Sequence, residues 1–202
     1  MNRIDILPFR NELNRKIIHL SSSIIPIFYI FNSFQLTVTL SVILLFSILL
    51  IEIFRRQNNI LSIFLNKLLG SVVRDYEKKD LMSATYLVFS SILTILFFDK
   101  NIAILSIFIL TICDAVAAIT GMKFGNNTII HNKTIEGTFA FAATGLFILF
   151  FYYSILDLNK FFIPGIFAIL AIAIIEHITP TKFDNISIPI FSAILFTIID
   201  LK

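Results

Sequence analysis

The chain has 202 residues, 57% of them hydrophobic and 14% charged, with a mean hydropathy of +0.92. An average globular protein carries roughly 25% charged residues, and here the apolar residues fall in long runs, which excludes an ordinary soluble domain. The net charge of +3 and pI near 9.0 do not imply nucleic acid, because the basic residues flank apolar runs, where they orient a chain in a membrane. A lone Cys113 leaves no internal disulfide.

A helix that crosses the hydrocarbon core needs roughly 17 to 25 apolar residues. In chain order such runs occupy Ile17–Phe34, Leu36–Phe54, Leu81–Phe98, Ile102–Gly121, Gly137–Leu156, Phe161–Ile178 and the shorter Asn185–Ile199. The basic arm before the first run loosely resembles a signal peptide. His19 and Ser21-Ser22-Ser23 interrupt that run and no Ala-x-Ala site follows, so it reads as a retained span. The 14 residues Ile60–Val73, with Asn66 and Lys67 among them, suit an interfacial or re-entrant helix. Pro26, Pro164 and Pro189 fall in the first halves of spans, where a kink or early turn accommodates them. The expectation is a single all-α domain over 1–202, a polytopic membrane bundle of about seven transmembrane helices.

With seven spans, thirteen of the sixteen Lys and Arg residues fall on one side, leaving Lys100, Lys160 and Lys202 opposite. The positive-inside rule makes the rich side cytoplasmic, with the N-terminus inside and the C-terminus outside, as in a cell (inner) membrane protein. Ten of the thirteen acids, Asp5, Asp75 and Lys79's neighbour Asp80 among them, share that side. Acids do not obey the rule, so mixed charge on one face suits a site for metal and phosphate. Longer cytoplasmic loops explain part of the same asymmetry.

Four constellations carry candidate chemistry. Glu12, Arg15, Lys16 and His19 lie at helical spacing on one face, either a phosphate-binding stripe or an interfacial anchor. Asp114 sits inside the fourth run, at a depth where a carboxylate must be paired, metal-bound or hydrated. Ala117, Ala118, Gly121 and Gly125 leave a bare face after it, for a ligand or for helix packing. Lys133, Thr134, Glu136 and Gly137 lead into the fifth run, offering a cation, a hydroxyl, a carboxylate and a close turn at a helix N-terminus; Thr134 alone also fits a helix cap. Glu176-His177 and Asp184-Asn185, with Pro189 following, offer oxygen ligands for a hard cation such as Mg²⁺, although Asp-Asn before a helix is also a cap. Arg74 and Glu77 add a phosphate contact and an acid, or form a solvated pair. No P-loop, Gly-x-Gly-x-x-Gly or Cys/His zinc cluster is present.

Together these residues resemble the membrane polyprenol, phytol and diacylglycerol kinase family, which includes dolichol kinase. Glu12, Arg15, Lys16 and His19 match its Glu-x-x-Arg-Lys-x-x-His stretch. Asp114, Ala117, Gly121, Gly125, Lys133, Thr134, Glu136 and Gly137 match its central block and loop. Glu176, Asp184, Asn185 and Pro189 close the pattern. Cys113 replaces the usual Gly before the Asp, for which a local packing difference is expected. The resemblance implies phosphoryl transfer, commonly from CTP, to a lipid alcohol. The family is also similar to phosphatidate cytidylyltransferases, whose longer signature after Pro-Gly-His is absent here.

Phosphoryl transfer needs cations on the phosphates, carboxylates holding Mg²⁺ and an in-line hydroxyl. The expected metal ligands are Asp114 and Asp184, with Glu136, and the phosphate contacts are Arg15, Lys16, Arg74 and Lys133. The general base is His19, Glu12 or Glu176; the sequence does not choose among them. Expected partners are a lipid alcohol, a nucleoside triphosphate, membrane lipids and a second copy in a homodimer, with no nucleic acid. A small cation or proton transporter accounts for Asp114 but not for the Lys133–Glu136 loop.

Overall fold

Backbone groups in hydrocarbon can hydrogen-bond only to the protein itself, and the chain resolves almost wholly into helices. The computed structural model describes residues 8–57, 59–74, 76–78, 80–126, 128–131, 133–156 and 162–199. Asn132 and the counted charges Arg3, Asp5, Asp75, Lys79, Lys160 and Lys202 lie outside the described residues.

The first apolar run is not one helix. It divides into α1 (Phe9–Ser21) and α2 (Ile24–Phe31). Pro26 has no N–H to bond Ser22, whose carbonyl instead accepts from Ile25 N at 3.0 Å. α3 (Phe34–Arg55) follows, then α4 (Ile60–Leu69), which starts on an Asn59/Ser62 capping box. Ile60, Ile63, Phe64 and Leu68 of α4 are exposed, an apolar face that fits the expected interfacial helix. A short turn, Tyr76–Lys78, leads to α5 (Ser83–Phe97).

The fourth run is continuous but not uniform: α6 (Lys100–Phe108), a π-helical turn at Ile109–Cys113, then α7 (Asp114–Phe124). A two-stranded antiparallel hairpin, β1 (Thr128–Ile130) and β2 (Lys133–Thr134), connects it to α8 (Ile135–Leu156). α9 (Phe162–Ile178) and α10 (Asp184–Ile198) complete the bundle.

Three helical stretches among the described residues are long and apolar enough to cross a membrane: Phe34–Arg55, Lys100–Phe124 and Ile135–Ile155. The chain is therefore an all-α membrane protein. α5, α9 and α10 lie where spans are expected but have only 15, 17 and 15 residues. Burial separates the three long stretches. Lys100–Phe124 is 72% buried over its most apolar window, against 17% and 22% for the other two. It is the central post, and Leu105, Ile107, Leu110 and Cys113 on it are wholly enclosed with Phe141, Ile169 and Phe196. Cys113 uses space near Gly145, where an added Cβ would lie 3.7 Å from its Sγ.

At one end of the bundle Lys100 Nζ donates to the carbonyls of Ile30 and Asn32, both at 3.2 Å, and Tyr152 Oη donates to Asn101 O at 2.8 Å. The polar constellations gather away from this end. Asp184 and Asn185 do not cap α10; they form its first turn, behind Phe183 at the N-cap position. Pro189, four residues after Asn185, removes the N–H that would bond the Asn185 carbonyl. Ser90 Oγ of α5 donates to that carbonyl at 2.5 Å, and Asn185 Nδ2 donates to Ser83 O at 2.9 Å. The Asn-x-x-x-Pro spacing thus fastens α10 to α5.

Candidate functional site

A cavity of about 630 Å³ opens where α1, α7, α8, α9, α10 and the hairpin meet, a volume ordinary for small-molecule sites. Its polar wall includes Glu12, Lys16, Arg74, Asp114, Lys133, Glu176 and Asp184, residues that span most of the chain.

α1 lays its stripe against α7, burying Glu12, Lys16 and His19. Glu12 Oε1 accepts from Arg15 Nε at 3.0 Å and from Arg74 Nη2 at 2.8 Å. Burial raises the Glu12 pKa, but the Arg15 hydrogen bond and charge, with Arg74 and Lys16, more than offset this and bring it from 4.5 to about 2. Burial likewise opposes the charge on Arg74, and Glu12 outweighs it, so the Arg74 pKa is raised. Lys16 Nζ lies 2.5 Å from Asp114 Oδ2.

His19 does not line the cavity. Its Nε2 is 3.1 Å from Leu110 O and 3.3 Å from Asp114 Oδ2. A carbonyl only accepts, so Nε2 carries the proton. Leu110 belongs to the π turn, where the regular ladder is widened just before Asp114. Arg15 also faces elsewhere, onto Glu12 and, through Nη1, Ser83 Oγ at 3.3 Å. Neither Arg15, expected on the phosphates, nor His19, one of the three possible bases, lines the cavity.

The hairpin carries Lys133 onto α9 and α10. Its Nζ is 2.8 Å from Asp184 Oδ1 and 2.9 Å from Glu176 Oε1, and it also donates to the Glu176 carbonyl. Burial lowers the Lys133 pKa, but Asp184 and Glu176 raise it overall, so the ammonium persists. Thr134 acts as a helix cap, its Oγ1 accepting from Gly137 N at 3.1 Å. Gly121, Gly125 and Gly137 form the seat for that threonine: added Cβ atoms would meet Thr134 Oγ1 at 2.7, 2.8 and 3.2 Å. These glycines also border the cavity, so the bare face serves packing and access together.

One carboxylate oxygen each from Asp114, Glu176 and Asp184 lies within 4.8 Å of the others, and all three residues are buried. Among the described residues nothing hydrogen-bonds Asp184 Oδ2. Three converging hard oxygen donors and an orphaned buried oxygen fit Mg²⁺. The third acid is Glu176, not the expected Glu136. Glu136 lies off the cavity wall, its Oε1 accepting from Asn126 N at 3.2 Å, because the first turn of α8 points it toward the hairpin's approach.

Glu77 is neither solvated nor in the cavity. It is 2% exposed, accepting from Arg74 N and Ser83 N, both at 2.9 Å, and from Ser83 Oγ. Several polar groups of the cavity wall escaped the sequence reading, Thr138, His131 and Lys182 among them. Thr138, one turn after Thr134 on the same face, lines the cavity and is 2.7 Å from His177 Nδ1. His131, at φ 50 in the hairpin turn, and Lys182 also reach the wall.

These features define a polytopic helical membrane protein with a carboxylate-and-lysine cavity at one end of its bundle. The chain belongs to the same family as an uncharacterized protein of Rickettsia prowazekii (strain Madrid E), with 30% identity over 198 residues, 94% of this chain and 95% of that protein. It is also similar to CTP-dependent diacylglycerol kinase 1 of Schizosaccharomyces pombe (strain 972 / ATCC 24843), at 26% identity over 92 residues, 45% of this chain and 42% of that kinase. No protein-family profile and no solved structure matches the chain.

Proposed function

We propose that the chain is a lipid kinase that transfers the γ-phosphoryl group of a nucleoside triphosphate, CTP, to the hydroxyl of a lipid alcohol: a polyprenol, phytol or diacylglycerol. The observation that carries this reading is the convergence of Asp114, Glu176 and Asp184 with Lys16, Lys133 and Arg74 on one cavity. The choice of CTP rests on the similarity to the yeast kinase. In this reading seven passes place the cavity on the cytoplasmic face of the cell membrane, N-terminus inside. A cytoplasm-dependent reporter active at the C-terminus would overturn the seven-pass topology while leaving the enzyme reading intact.

Asp114, Glu176 and Asp184 would hold Mg²⁺, which supplies charge neutralisation for the triphosphate when bound. Lys16, Lys133 and Arg74 bind the phosphates. Phe9, Ala117, Ala118, Met122 and Pro180 form an apolar wall for the lipid chain. The lipid oxygen forms a bond to the γ-phosphorus as the bond to the β-bridging oxygen breaks, releasing the nucleoside diphosphate. The hydroxyl proton passes to a carboxylate. Glu12 is a poor base, held ionised by two guanidiniums, and His19 is committed to Leu110. Glu176 is the remaining candidate, through whichever of its two oxygens does not hold the metal.

Two labels of CTP, presented with each lipid alcohol in membranes, test the proposal. The γ-phosphate label is expected in the lipid fraction and the cytosine label is not. Cytosine label entering lipid with phosphatidate as acceptor would establish cytidylyl transfer instead, and no transfer of either label would favour a transporter.

A further inference from the structure

Among the described residues, the hydrogen bonds to the clustered carboxylates come from lysine. Lys16 Nζ occupies Asp114 Oδ2 at 2.5 Å; Lys133 Nζ occupies Asp184 Oδ1 and Glu176 Oε1 at 2.8 and 2.9 Å. Lys16 is 3% exposed. A divalent cation arriving alone must compete with these ammoniums for the same three carboxylates. In a cavity this buried a displaced ammonium requires a new anion, since leaving a buried charge unpaired is strongly unfavourable. Glu12 is a poor receiver, because its Oε1 already accepts from Arg15 and Arg74. Asp184 Oδ2, without a partner among the described residues, offers a metal a foothold that the lysine-bound oxygens do not.

We propose that Lys16 and Lys133 close the carboxylate cluster against free divalent cations, so that metal and triphosphate are taken up together as one chelate. The phosphate oxygens receive the two ammoniums that the metal displaces. Each lysine thus has two stations: a carboxylate in the empty site and a phosphate in the filled one. The ion pairs stabilise the empty cavity and also set its selectivity, because a ligand without phosphate cannot exchange them. This inference rests on reading the cavity as a triphosphate site, but not on the identity of the lipid or on transfer itself.

The test uses the full chain in nanodiscs, with Mn²⁺ followed by its electron paramagnetic resonance signal and labelled inorganic tripolyphosphate as the second probe. Wild type is expected to bind Mn²⁺ alone weakly, and to retain tripolyphosphate only when Mn²⁺ is present. Lys133→Met and Lys16→Met should each bind Mn²⁺ alone about tenfold or more tighter, and tripolyphosphate with Mn²⁺ about tenfold weaker. Adding Asp184→Asn to Lys133→Met should abolish the gain, locating it at the cluster. Lys133→Arg and Lys16→Arg keep the charge and should keep Mn²⁺ binding weak, which covers the case where a methionine variant misfolds.

Tight Mn²⁺ binding by wild type without phosphate, or methionine variants no tighter than wild type, would overturn the proposal. So would arginine variants that bind Mn²⁺ alone as tightly as the methionine ones. The kinase reading fails separately, on labelled CTP giving no lipid phosphate, and that outcome leaves the Mn²⁺ titrations free to succeed or fail.

Discussion

Two groups of buried acids, linked through Arg74, are held in opposite ways. Glu77 accepts from the backbone N–H groups of Arg74 and Ser83 and from the Ser83 hydroxyl. Glu52, also 2% exposed, accepts from Met82 N at 2.8 Å and from Thr85 Oγ1, with Arg56 3.5 Å from its other oxygen. Such donors cannot leave without undoing the loop between α4 and α5. Asp114, Glu176 and Asp184 instead meet Lys16 and Lys133, ammoniums on long flexible stems that can change partner. Burial of an acid therefore does not by itself mark a site; the exchangeability of its partners does.

The largest expected effect would separate the two groups. Asp114→Asn and Asp184→Asn should lower phosphoryl transfer by about a thousandfold or more, as loss of charge at a reacting phosphate demands. Thermal unfolding of Asp184→Asn should change little, because Lys133 keeps Glu176, whereas Asp114→Asn strips the buried Lys16 of its carboxylate and should also lower stability. Glu77→Gln should do the reverse of Asp184→Asn. It trades a buried acceptor of three hydrogen bonds for one that accepts fewer, costing about 2 to 4 kcal/mol of stability. Transfer per folded molecule should stay within about tenfold of the parent. Transfer lost in Glu77→Gln without a fall in unfolding temperature would erase the distinction.

Glu12 stands between the groups: it lines the cavity, yet two guanidiniums fix it. Its pKa is lowered from 4.5 to about 2 on folding. A lowered folded-state pKa gives a stabilisation that is complete above the unfolded value and lost as pH falls from about 4.5 toward about 2. Its size is on the order of 3 kcal/mol. Unfolding measured from pH 7 to pH 3 should show wild type exceeding Glu12→Gln by a constant margin down to about pH 5, shrinking below it. A margin unchanged down to pH 3 would mean that Glu12 is not held ionised by its arginines.

Much of this was legible in the sequence because hydrophobic runs and helical spacing are local signals. The i, i+4, i+7 spacing of Glu12, Lys16 and His19 placed them on one buried face, and Asp114 betrayed itself as a carboxylate inside an apolar run. The breaks were harder to see. The division of the first run follows from Pro26 meeting a serine-rich stretch, and the π turn before Asp114 has no comparable residue signature. Glu136 and Glu176 are indistinguishable as acids; the tertiary fold alone turns Glu136 to Asn126 and brings Glu176 on α9 to Asp184. Glu77 read as a site acid or half of a solvated pair with Arg74, because its partners are backbone amides and a serine hydroxyl, which sequence pattern does not display. Asn185 and Pro189 did carry a readable signal, a carbonyl deprived of its donor, but not the address of the replacement.

That replacement gives the smallest effect and the sharpest test of fixed donors. Ser90 is wholly buried, and its Oγ lies 2.5 Å from Asn185 O and 3.0 Å from Leu87 O. Leu87 lies three residues earlier on the same helix, whereas Asn185 loses its helical donor to Pro189. Ser90→Ala should therefore cost about 1 to 2 kcal/mol, mostly from the stranded Asn185 carbonyl. Pro189→Ala restores an N–H four residues after Asn185 and should make the hydroxyl partly redundant. In that background Ser90→Ala should cost about 1 kcal/mol less, a coupling that a double-mutant cycle resolves. Strictly additive losses would mean that Ser90 serves only its own helix. Because Asp184 precedes Asn185, Ser90→Ala should also weaken transfer about threefold to tenfold by loosening the first turn of α10, with Pro189→Ala restoring part of it. A shared partial rescue of stability and transfer is what a fixed donor produces, whereas neither quantity should respond to Pro189→Ala in the Lys133→Met variant, where the lost partner was a movable one.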